Sequence, residues 1–326
     1  MGYHHLSVHE REVIMIELKQ GSTLSQIAVQ LGRAVSTISR EIRRNGGVRV
    51  YRAHQAERLA QAARHKPRRR NKMADQKLRA YVDKKLRCYW SPEQIAGRLG
   101  YEKRPDSMRV CHETIYRFIL SAARDGVDYG PYLRQGHRRH TYGWRGNKRF
   151  KRIRNFKTID QRPTIVDQRQ RIGDWESDTV RGPQRGQAGI ATHVERQTRY
   201  LVACKLGART ASAYNEATIQ AFKNTPLPVH TMTVDNGMEF SQFSELEEAL
   251  GTEVYFAHPY HSWERGLNEN TNGLLRQYFP RGRDLTGVHP REIQQAVLAL
   301  NQRPRKCLGY RTPTESLKLN LVALGD

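Results

Sequence analysis

Two different periods of apolar residues divide this chain. In its first part, apolar residues recur every three to four positions, which predicts amphipathic helices. From Trp175 onward, short apolar runs bounded by turn residues predict strands that alternate with helices. The pattern therefore predicts a multidomain protein, with an all-α N-terminal region followed by an α/β domain.

The first helices have the pattern of a helix-turn-helix. Ser7 and Glu10 predict a capping box at the start of one helix, Thr23 begins a second that stops at Gly32, and a third covers 36–44. Apolar residues at helical spacing would close the core, and small Ala28 would let two helices cross closely. The exposed residues of the third helix are expected to contact base edges and phosphates of double-stranded DNA: Ser36, Thr37, Arg40, Arg43 and Arg44. A helical bundle with a solvated basic face is the alternative.

A similar pattern recurs further along. Residues 95–100 (IAGRLG) repeat the Ile-Ala-x-x-Leu-Gly signature of residues 27–32, and Ser91 with Pro92 predicts a capped helix start. Two basic segments flank this unit. In the first, Arg68, Arg69 and Arg70 are expected to lie along DNA phosphates, although such charge runs are often merely solvated.

The second half predicts one mixed sheet flanked by helices. Five strands are expected, at 175–180, 189–194, 200–206, 229–234 and 253–256. Three helices are expected, at 211–222, 243–250 and 268–278. Short turns join the first three strands, which should therefore be antiparallel. The expected domains are a helix-turn-helix at 1–47, a basic linker at 48–72, a second helix-turn-helix-like domain at 73–125, a basic linker at 126–164 and a catalytic domain at 165–326.

Charge is concentrated in the first half. Residues 1–164 have a net charge of +23, whereas residues 165–326 have +1. This asymmetry indicates that the first half binds a polyanion. A membrane surface is the rival partner, but no apolar run approaches the roughly 20 residues of a spanning helix. No signal peptide is recognisable, so a cytoplasmic location is expected.

The cysteines do not predict a metal site. Cys88, Cys111, Cys204 and Cys307 form no CxxC pair, and although His112 follows Cys111, no closely spaced set of cysteines and histidines supplies four ligands. Structural zinc and disulfides are therefore not expected. The histidines of residues 137–140 (HRRH) stand among arginines without a third or fourth ligand.

Three acids on separate elements suggest metal-dependent phosphodiester chemistry. Asp178 lies in the first strand of the α/β domain, Asp235 follows the fourth strand, and Glu269 lies in the last predicted helix. In-line attack on a phosphodiester uses two metals about 4 Å apart. Three carboxylates form a hard-oxygen site suited to Mg²⁺, with Mn²⁺ able to substitute. No GxxxxGK[ST] loop is present, so no nucleotide cofactor is expected.

Nearby acids compete for these roles. Asp174 and Glu176 share a strand face with Asp178, which is preferred because the strand continues beyond it. Glu264 precedes a glycine in a loop and would be held poorly as a ligand. Asn272 and Arg276 share a helical face with Glu269, and Arg276 is expected to contact DNA phosphate.

Four stretches resemble the DDE transposases of the insertion-sequence-thirty family. They are residues 90–95 (WSPEQI), 174–178 (DWESD), 234–237 (VDNG) and 258–280 (HPYHSWERGLNENTNGLLRQYFP). One departure is Ser177, where the family more often has glycine. The resemblance implies a ribonuclease-H-like catalytic fold shared with retroviral integrases.

The same resemblance implies a function. The expected protein binds the terminal inverted repeats of a bacterial insertion sequence, cleaves and joins DNA with Mg²⁺, and forms a homo-oligomer when two ends are bridged. Such a protein would be associated with the nucleoid. Two alternatives stay open: a helix-turn-helix regulator with a non-catalytic integrase-like domain, and a ribonuclease-H-like nuclease that cuts without joining.

Overall fold

The chain forms two compact units, Met1–Asn71 and Lys72–Asp326, in a computed structural model. No helix in the described ranges is long and apolar enough to cross a lipid bilayer. The structure describes residues 4–65, 71–134, 156–183, 187–259 and 261–322.

The first unit is a helix-turn-helix, as predicted. The helices described in this unit are α1 (Val8–Lys19), α2 (Leu24–Gln30), α3 (Val35–Arg44) and α4 (Ala53–His65). The capping box is present at α1, where Ser7 Oγ accepts the N–H of Glu10 at 3.2 Å. The turn between α2 and α3 includes Gly32 at φ 59°, a left-handed conformation that favours glycine.

Packing of the first unit combines an apolar core with one buried arginine. Ile14, Ile27 and Ile38 are completely buried between α1, α2 and α3. Arg11 is 3% exposed and joins α1 to its neighbours, since its guanidinium contacts Glu41 of α3 at 2.7 Å and Glu57 of α4 at 2.5 Å. Both carboxylates compensate the buried charge, so the arrangement of three helices is specified by ion pairs as well as by apolar contacts.

Three further helices begin the second unit. They are α5 (Gln76–Arg87), α6 (Pro92–Tyr101) and α7 (His112–Arg124). The predicted cap is present at α6, where Ser91 Oγ accepts the N–H of Gln94 at 3.2 Å. Leu78, Ile95 and Ile115 are completely buried where the three helices meet. These helices therefore have an apolar core of their own.

Helix α6 docks on the C-terminal part of the same unit. Arg98 donates to both carboxylate oxygens of Glu315, at 2.7 and 2.6 Å, and Gln94 Nε2 donates to the carbonyl of Pro304 at 2.9 Å. A Cβ at Gly97 would lie only 2.1 Å from the ring of Tyr310, so this close approach requires glycine. The helices expected to form a separate reader of DNA are thus fastened to the α/β part of the chain.

A mixed sheet forms the centre of the second unit. Its strands are β1 (Lys157–Thr158), β2 (Asp174–Arg181), β3 (Gly189–Glu195), β4 (Leu201–Leu206), β5 (Thr231–Val234) and β6 (Glu253–Phe256). Their order across the sheet is β1-β6-β5-β2-β3-β4. The strands β2, β3 and β4 are antiparallel, as expected from their short turns, whereas β5 is parallel to both β2 and β6.

Helices cover both faces of the sheet. The helices of this region are α8 (Thr164–Gln168), α9 (Ala211–Lys223), α10 (Phe243–Leu250), α11 (Gly266–Leu275), α12 (Pro290–Asn301) and α13 (Pro313–Val322). Apolar residues of α9 and α10 pack on one face of the sheet, and those of α11 and α12 pack on the other. This two-faced arrangement is consistent with the ribonuclease-H-like fold that the sequence predicted.

Three details differ from the sequence-based expectations. Within the described residues the sheet has six strands rather than five, because residues 157–158 of the expected basic linker pair with β6. The last predicted helix begins at Gly266 and ends at Leu275, so Tyr278 lies beyond it. Helix α12, which the sequence pattern did not single out, buries Ile293 and Leu300 against the sheet.

Candidate active site

Asp178 lies on the face of β2 that α11 covers. Because side chains alternate along a strand, Asp174, Glu176 and Asp178 point to this face, while Ser177 points to the other and bonds to His193 Nδ1 at 2.8 Å. Asn272 of α11 donates from Nδ2 to Asp178 Oδ2 at 2.9 Å. The hydroxyl of Thr192 donates to the amide oxygen of Asn272 at 3.0 Å, which directs the amide nitrogen toward Asp178.

Asp235 follows β5 directly. This strand is the parallel neighbour of β2, so its end brings Asp235 to the same region of the sheet as Asp178. The N–H of Gly237 donates to Asp235 Oδ1 at 2.8 Å and fixes one side of the carboxylate. The Asp235 side chain is 45% exposed, so the carboxylate lies at the surface of the protein.

One guanidinium contacts both acids. Arg265 Nη2 lies 3.2 Å from Asp178 Oδ1, and Arg265 Nη1 lies 2.9 Å from Asp235 Oδ2. Burial raises the pKa of Asp178, and the nearby charge of Asp235 adds to this, although Arg265 opposes both. Burial acts to lower the pKa of Arg265, but the two carboxylates outweigh it and the pKa is raised. Sequence reasoning missed Arg265, although it stands inside the longest motif.

Glu269 occupies α11 beside these contacts. It is exposed and stands one helical turn after Arg265 and one turn before Asn272, both of which contact Asp178. In the described part of the chain, only His258, His261 and Glu264 form a trio of potential metal ligands whose atoms all lie within 4.8 Å. The structure therefore brings Asp178 and Asp235 together and leaves Glu269 further from them.

The competing acids are engaged elsewhere. Asp174 is completely buried and bonds to Arg171 through both carboxylate oxygens, at 3.0 Å each. Glu176 is 2% exposed and forms an ion pair with Arg196. Glu264 contacts two histidines, His258 and His261. Of the three acids on this face of β2, Asp178 is the one that shares a cation with Asp235.

Arg276 has partners within the fold. It follows the last residue of α11 and is half-buried, with Nη2 donating to the carbonyl of Arg181 at 2.7 Å and Nη1 to that of Phe279 at 3.4 Å. Burial lowers its pKa. In this structure Arg276 joins the end of β2 to the end of α11, and its expected contact with DNA phosphate stays a prediction.

The predicted DNA-contact residues of the first unit lie along α3. Ser36, Arg40, Arg43 and Arg44 are exposed, and Thr37 is half-buried. The guanidinium of Arg40 folds back onto Ser36, with Nε 2.9 Å from the carbonyl oxygen and Nη2 3.1 Å from Oγ. Arg68, Arg69 and Arg70 lie outside the described residues.

Comparison with known proteins decides the family. Residues 2–45 match the helix-turn-helix domain family, and residues 168–262 match the integrase core domain family. The chain is 37% identical to the transposase InsI for insertion sequence element IS30A of Escherichia coli (strain K12), over 99% of this chain and 85% of that protein. This chain belongs to the IS30 family of transposases. It is also 38% identical to the transposase for insertion sequence element IS4351 of Bacteroides fragilis, over 96% of this chain and 95% of the relative.

Family membership agrees with the two units. The helix-turn-helix match falls on α1 to α3 of the first unit, and the integrase-core match covers β2 to β6 with Asp178 and Asp235. A third relative, the transposase for insertion sequence element IS1086 of Cupriavidus metallidurans, is 34% identical over 97% of this chain and 94% of its own length. The transposase therefore combines a DNA-binding unit with an integrase-type core.

Proposed function

We propose that this transposase cleaves DNA at the terminal inverted repeats of its insertion sequence and joins the freed ends to target DNA. Asp178, Asp235 and Glu269 form the proposed catalytic site. The observation that carries the proposal is the convergence of Asp178 and Asp235, from neighbouring parallel strands, on the single guanidinium of Arg265. The fold thus places two carboxylates around one cation, which here is the guanidinium of Arg265.

The donor set suits Mg²⁺, and Mn²⁺ by substitution. The Asp178 and Asp235 side chains are 26% and 45% exposed, and Glu269 is exposed on the adjacent helix. Oxygen ligands without nitrogen or sulfur are typical of these hard cations. A bound pair of such ions supplies activation of the attacking oxygen and stabilisation of the leaving oxygen.

Neighbouring residues position the acids. Asn272 donates to Asp178 Oδ2 and so holds this carboxylate in one orientation, while Gly237 holds Asp235 through its backbone N–H. Arg265 contacts Asp178 Oδ1 and Asp235 Oδ2, which are oxygens that would bind metal in this proposal. We therefore infer that Arg265 gives up at least one of its two contacts when the site is loaded, and that Glu269 approaches as α11 adjusts.

The first unit supplies recognition in this proposal. The exposed basic residues of α3 read one element end in the major groove, and the surrounding positive charge holds the phosphates. The relatives are transposases for insertion sequence elements, which supports element ends and target DNA as the substrates. Bridging two ends calls for at least two copies of the chain, acting in the bacterial cytoplasm at the nucleoid.

The proposal is tested with a labelled element end and Mg²⁺. Nicked and joined products are expected from the wild-type transposase, and neither from Asp178→Asn. A regulator without catalysis would bind the end and leave it intact. A nuclease that cuts without joining would release nicked DNA but no strand-transfer product, and would thereby contradict the joining step.

A further inference from the structure

A cluster of two histidines and two acids lies next to the proposed catalytic site. His258, His261 and Glu264 occupy the connection between β6 and α11, and their ligand atoms all lie within 4.8 Å of one another. Asp160, on a short helical turn after β1, contacts His258 from the other side. None of these residues belongs to the Asp178, Asp235 and Glu269 site.

The donor atoms converge on one point. His258 Nδ1 lies 2.9 Å from Glu264 Oε1, and His261 Nδ1 lies 3.1 Å from the same oxygen. Zinc binds imidazole nitrogen and carboxylate oxygen at about 2.0–2.2 Å, so two ligands of a tetrahedral ion lie about 3.3 Å apart. Each of the two nitrogen–oxygen distances thus needs to lengthen by only a few tenths of an ångström to accommodate an ion, and the two nitrogens already lie within 4.8 Å of each other.

Two further polar atoms of the cluster have defined partners. His258 Nε2 lies 2.9 Å from Asp160 Oδ2, and Glu264 Oε2 accepts the backbone N–H of His258 at 2.9 Å. A carboxylate that bonds to the far nitrogen of a histidine is the usual outer support of a metal-bound imidazole, because it fixes both the tautomer and the ring orientation. His258 therefore directs Nδ1 into the cluster.

We propose that His258, His261 and Glu264 bind one divalent transition-metal ion of the Zn²⁺ type, with Asp160 as the outer support of His258. Two nitrogen ligands and one carboxylate select such an ion over Mg²⁺, which prefers oxygen. The His258 and His261 side chains are 34% and 42% exposed, so water completes the coordination. The ion would fix the conformation of residues 258–264, which directly precede Arg265 and α11. Its role is therefore to position Arg265 and α11.

The same distances would also arise from protons shared between each imidazole and Glu264. The experiment is therefore a direct binding measurement on the full-length protein after chelation and dialysis, with Co²⁺ as the spectroscopic probe. We expect one equivalent of Co²⁺ to give the visible absorption of a tetrahedral site with nitrogen ligands, and Zn²⁺ to displace it. Absence of a saturable Co²⁺ spectrum in the wild type would overturn the proposal.

Variants separate this site from the catalytic acids. His258→Ala with His261→Ala should weaken Co²⁺ binding by at least about 100-fold, and Asp160→Asn by about 10-fold to 100-fold as an outer support. His54→Ala, which removes an exposed histidine of α4, is the matched control and should bind normally. Circular dichroism checks folding, and Asp160→Asn decides the matter if the double variant does not fold.

The double variant Asp178→Asn with Asp235→Asn makes the test independent of the proposed function. It should lose DNA cleavage and retain the full Co²⁺ spectrum. Loss of the spectrum in this variant would place the ion at the catalytic acids and refute the second site. The proposal would also be refuted if the variant with both His258→Ala and His261→Ala kept the Co²⁺ spectrum.

Discussion

Arg265 Nη1 lies 2.9 Å from Asp235 Oδ2, and the Arg265 side chain is only 11% exposed. The same guanidinium reaches Asp178, so one buried cation compensates two acids from different strands. Without it, the two carboxylates would face each other across a partly desolvated space, which is electrostatically unfavourable. Arg265 thus stabilises the structure in the absence of another cation, and under the proposed function a metal ion would compete with it for the same oxygens.

Replacing Arg265 with alanine should therefore destabilise the metal-free protein and increase its response to Mg²⁺. We expect Arg265→Ala to lower the free energy of unfolding by about 1–2 kcal/mol, less than for a fully buried pair because Asp235 is 45% exposed. Added Mg²⁺ should raise the melting temperature of the variant more than that of the wild type. Differential scanning fluorimetry over a Mg²⁺ series measures both.

Two controls accompany that measurement. Arg87→Ala removes an exposed arginine that pairs with Asp83, and its response to Mg²⁺ should equal that of the wild type. Adding Asp178→Asn and Asp235→Asn to the Arg265 variant should abolish the additional response. An equal Mg²⁺ response in the variant and in the wild type would mean that Arg265 and the ion do not share these carboxylates.

Asp235→Asn should separate catalysis from DNA binding. Cleavage of an element end should fall by more than about 100-fold, since loss of an outer support of a metal already costs 10-fold to 100-fold. The affinity for the same end should stay within a few-fold of the wild-type affinity, because the charge that attracts DNA lies mainly in residues 1–164. Their net charge is +23, whereas that of residues 165–326 is only +1. Gel-shift and cleavage assays with one labelled DNA measure the two effects.

Glu248→Gln is the control for that prediction, since Glu248 is an exposed acid on α10. It removes one negative charge from the same unit and should change neither activity. A folded Asp235→Asn protein that loses binding and cleavage to the same extent would contradict the separation of roles.

The metal requirement follows from the ligands. Mg²⁺ and Mn²⁺ should support cleavage, whereas Ca²⁺ should bind without turnover, because its loose coordination misplaces the attacking oxygen. Cleavage should stop on addition of EDTA and should not return unless Mg²⁺ or Mn²⁺ is supplied. Activity that survives chelation, or that Zn²⁺ restores and Mg²⁺ does not, would show that the wrong chemistry has been assigned to Asp178, Asp235 and Glu269.

Arg40 should contribute to sequence discrimination. If it reads a base, Arg40→Ala in the full-length protein should reduce the preference for element ends over random DNA by about 1–3 kcal/mol. Arg44→Ala is the comparison. If Arg44 contacts a phosphate, its loss should weaken the binding of element ends and of random DNA equally, and the slope of log K against log salt concentration should fall by about one. Titrations at several salt concentrations distinguish them, and a uniform loss for Arg40→Ala would make it a phosphate contact.

His193 should make the second unit sensitive to acid. It is completely buried between β3 and α9, and burial lowers its pKa from 6.5 to about 3. Below pH 6.5 the unfolded chain binds a proton that the folded chain excludes, so the free energy of unfolding falls as the pH falls toward 3. The loss is about 1.4 kcal/mol per pH unit, or about 2 kcal/mol at pH 5.

Urea unfolding at pH 7.5 and pH 5 measures this contribution. All four tryptophans lie in residues 72–326, so their fluorescence reports on the second unit. His193→Gln should be less stable at pH 7.5 and should lose less stability on acidification than the wild type. The same pH dependence in both proteins would assign the acid sensitivity to other groups.

The sequence by itself determined most of the elements and the candidate acids. The capping box at Ser7, the turn at Gly32 and the apolar spacing of α1 to α3 are local signals, because each acts within one or two helical turns. The alternation of β2 also limited the first acid to Asp174, Glu176 or Asp178, because only these share one strand face. The net charge of +23 in residues 1–164, against +1 in residues 165–326, predicted that the first half binds DNA.

Only the tertiary structure decided which of these residues meet. The ion pairs of Asp174 with Arg171 and of Glu176 with Arg196 leave Asp178 to share Arg265 with Asp235. The docking of α6 on Glu315 and the support of His258 by Asp160 likewise join distant parts of the chain. Such contacts depend on how the strands are ordered and how α11 packs on them. No local propensity encodes that arrangement, because it results from burying apolar surface on both faces of the sheet at once.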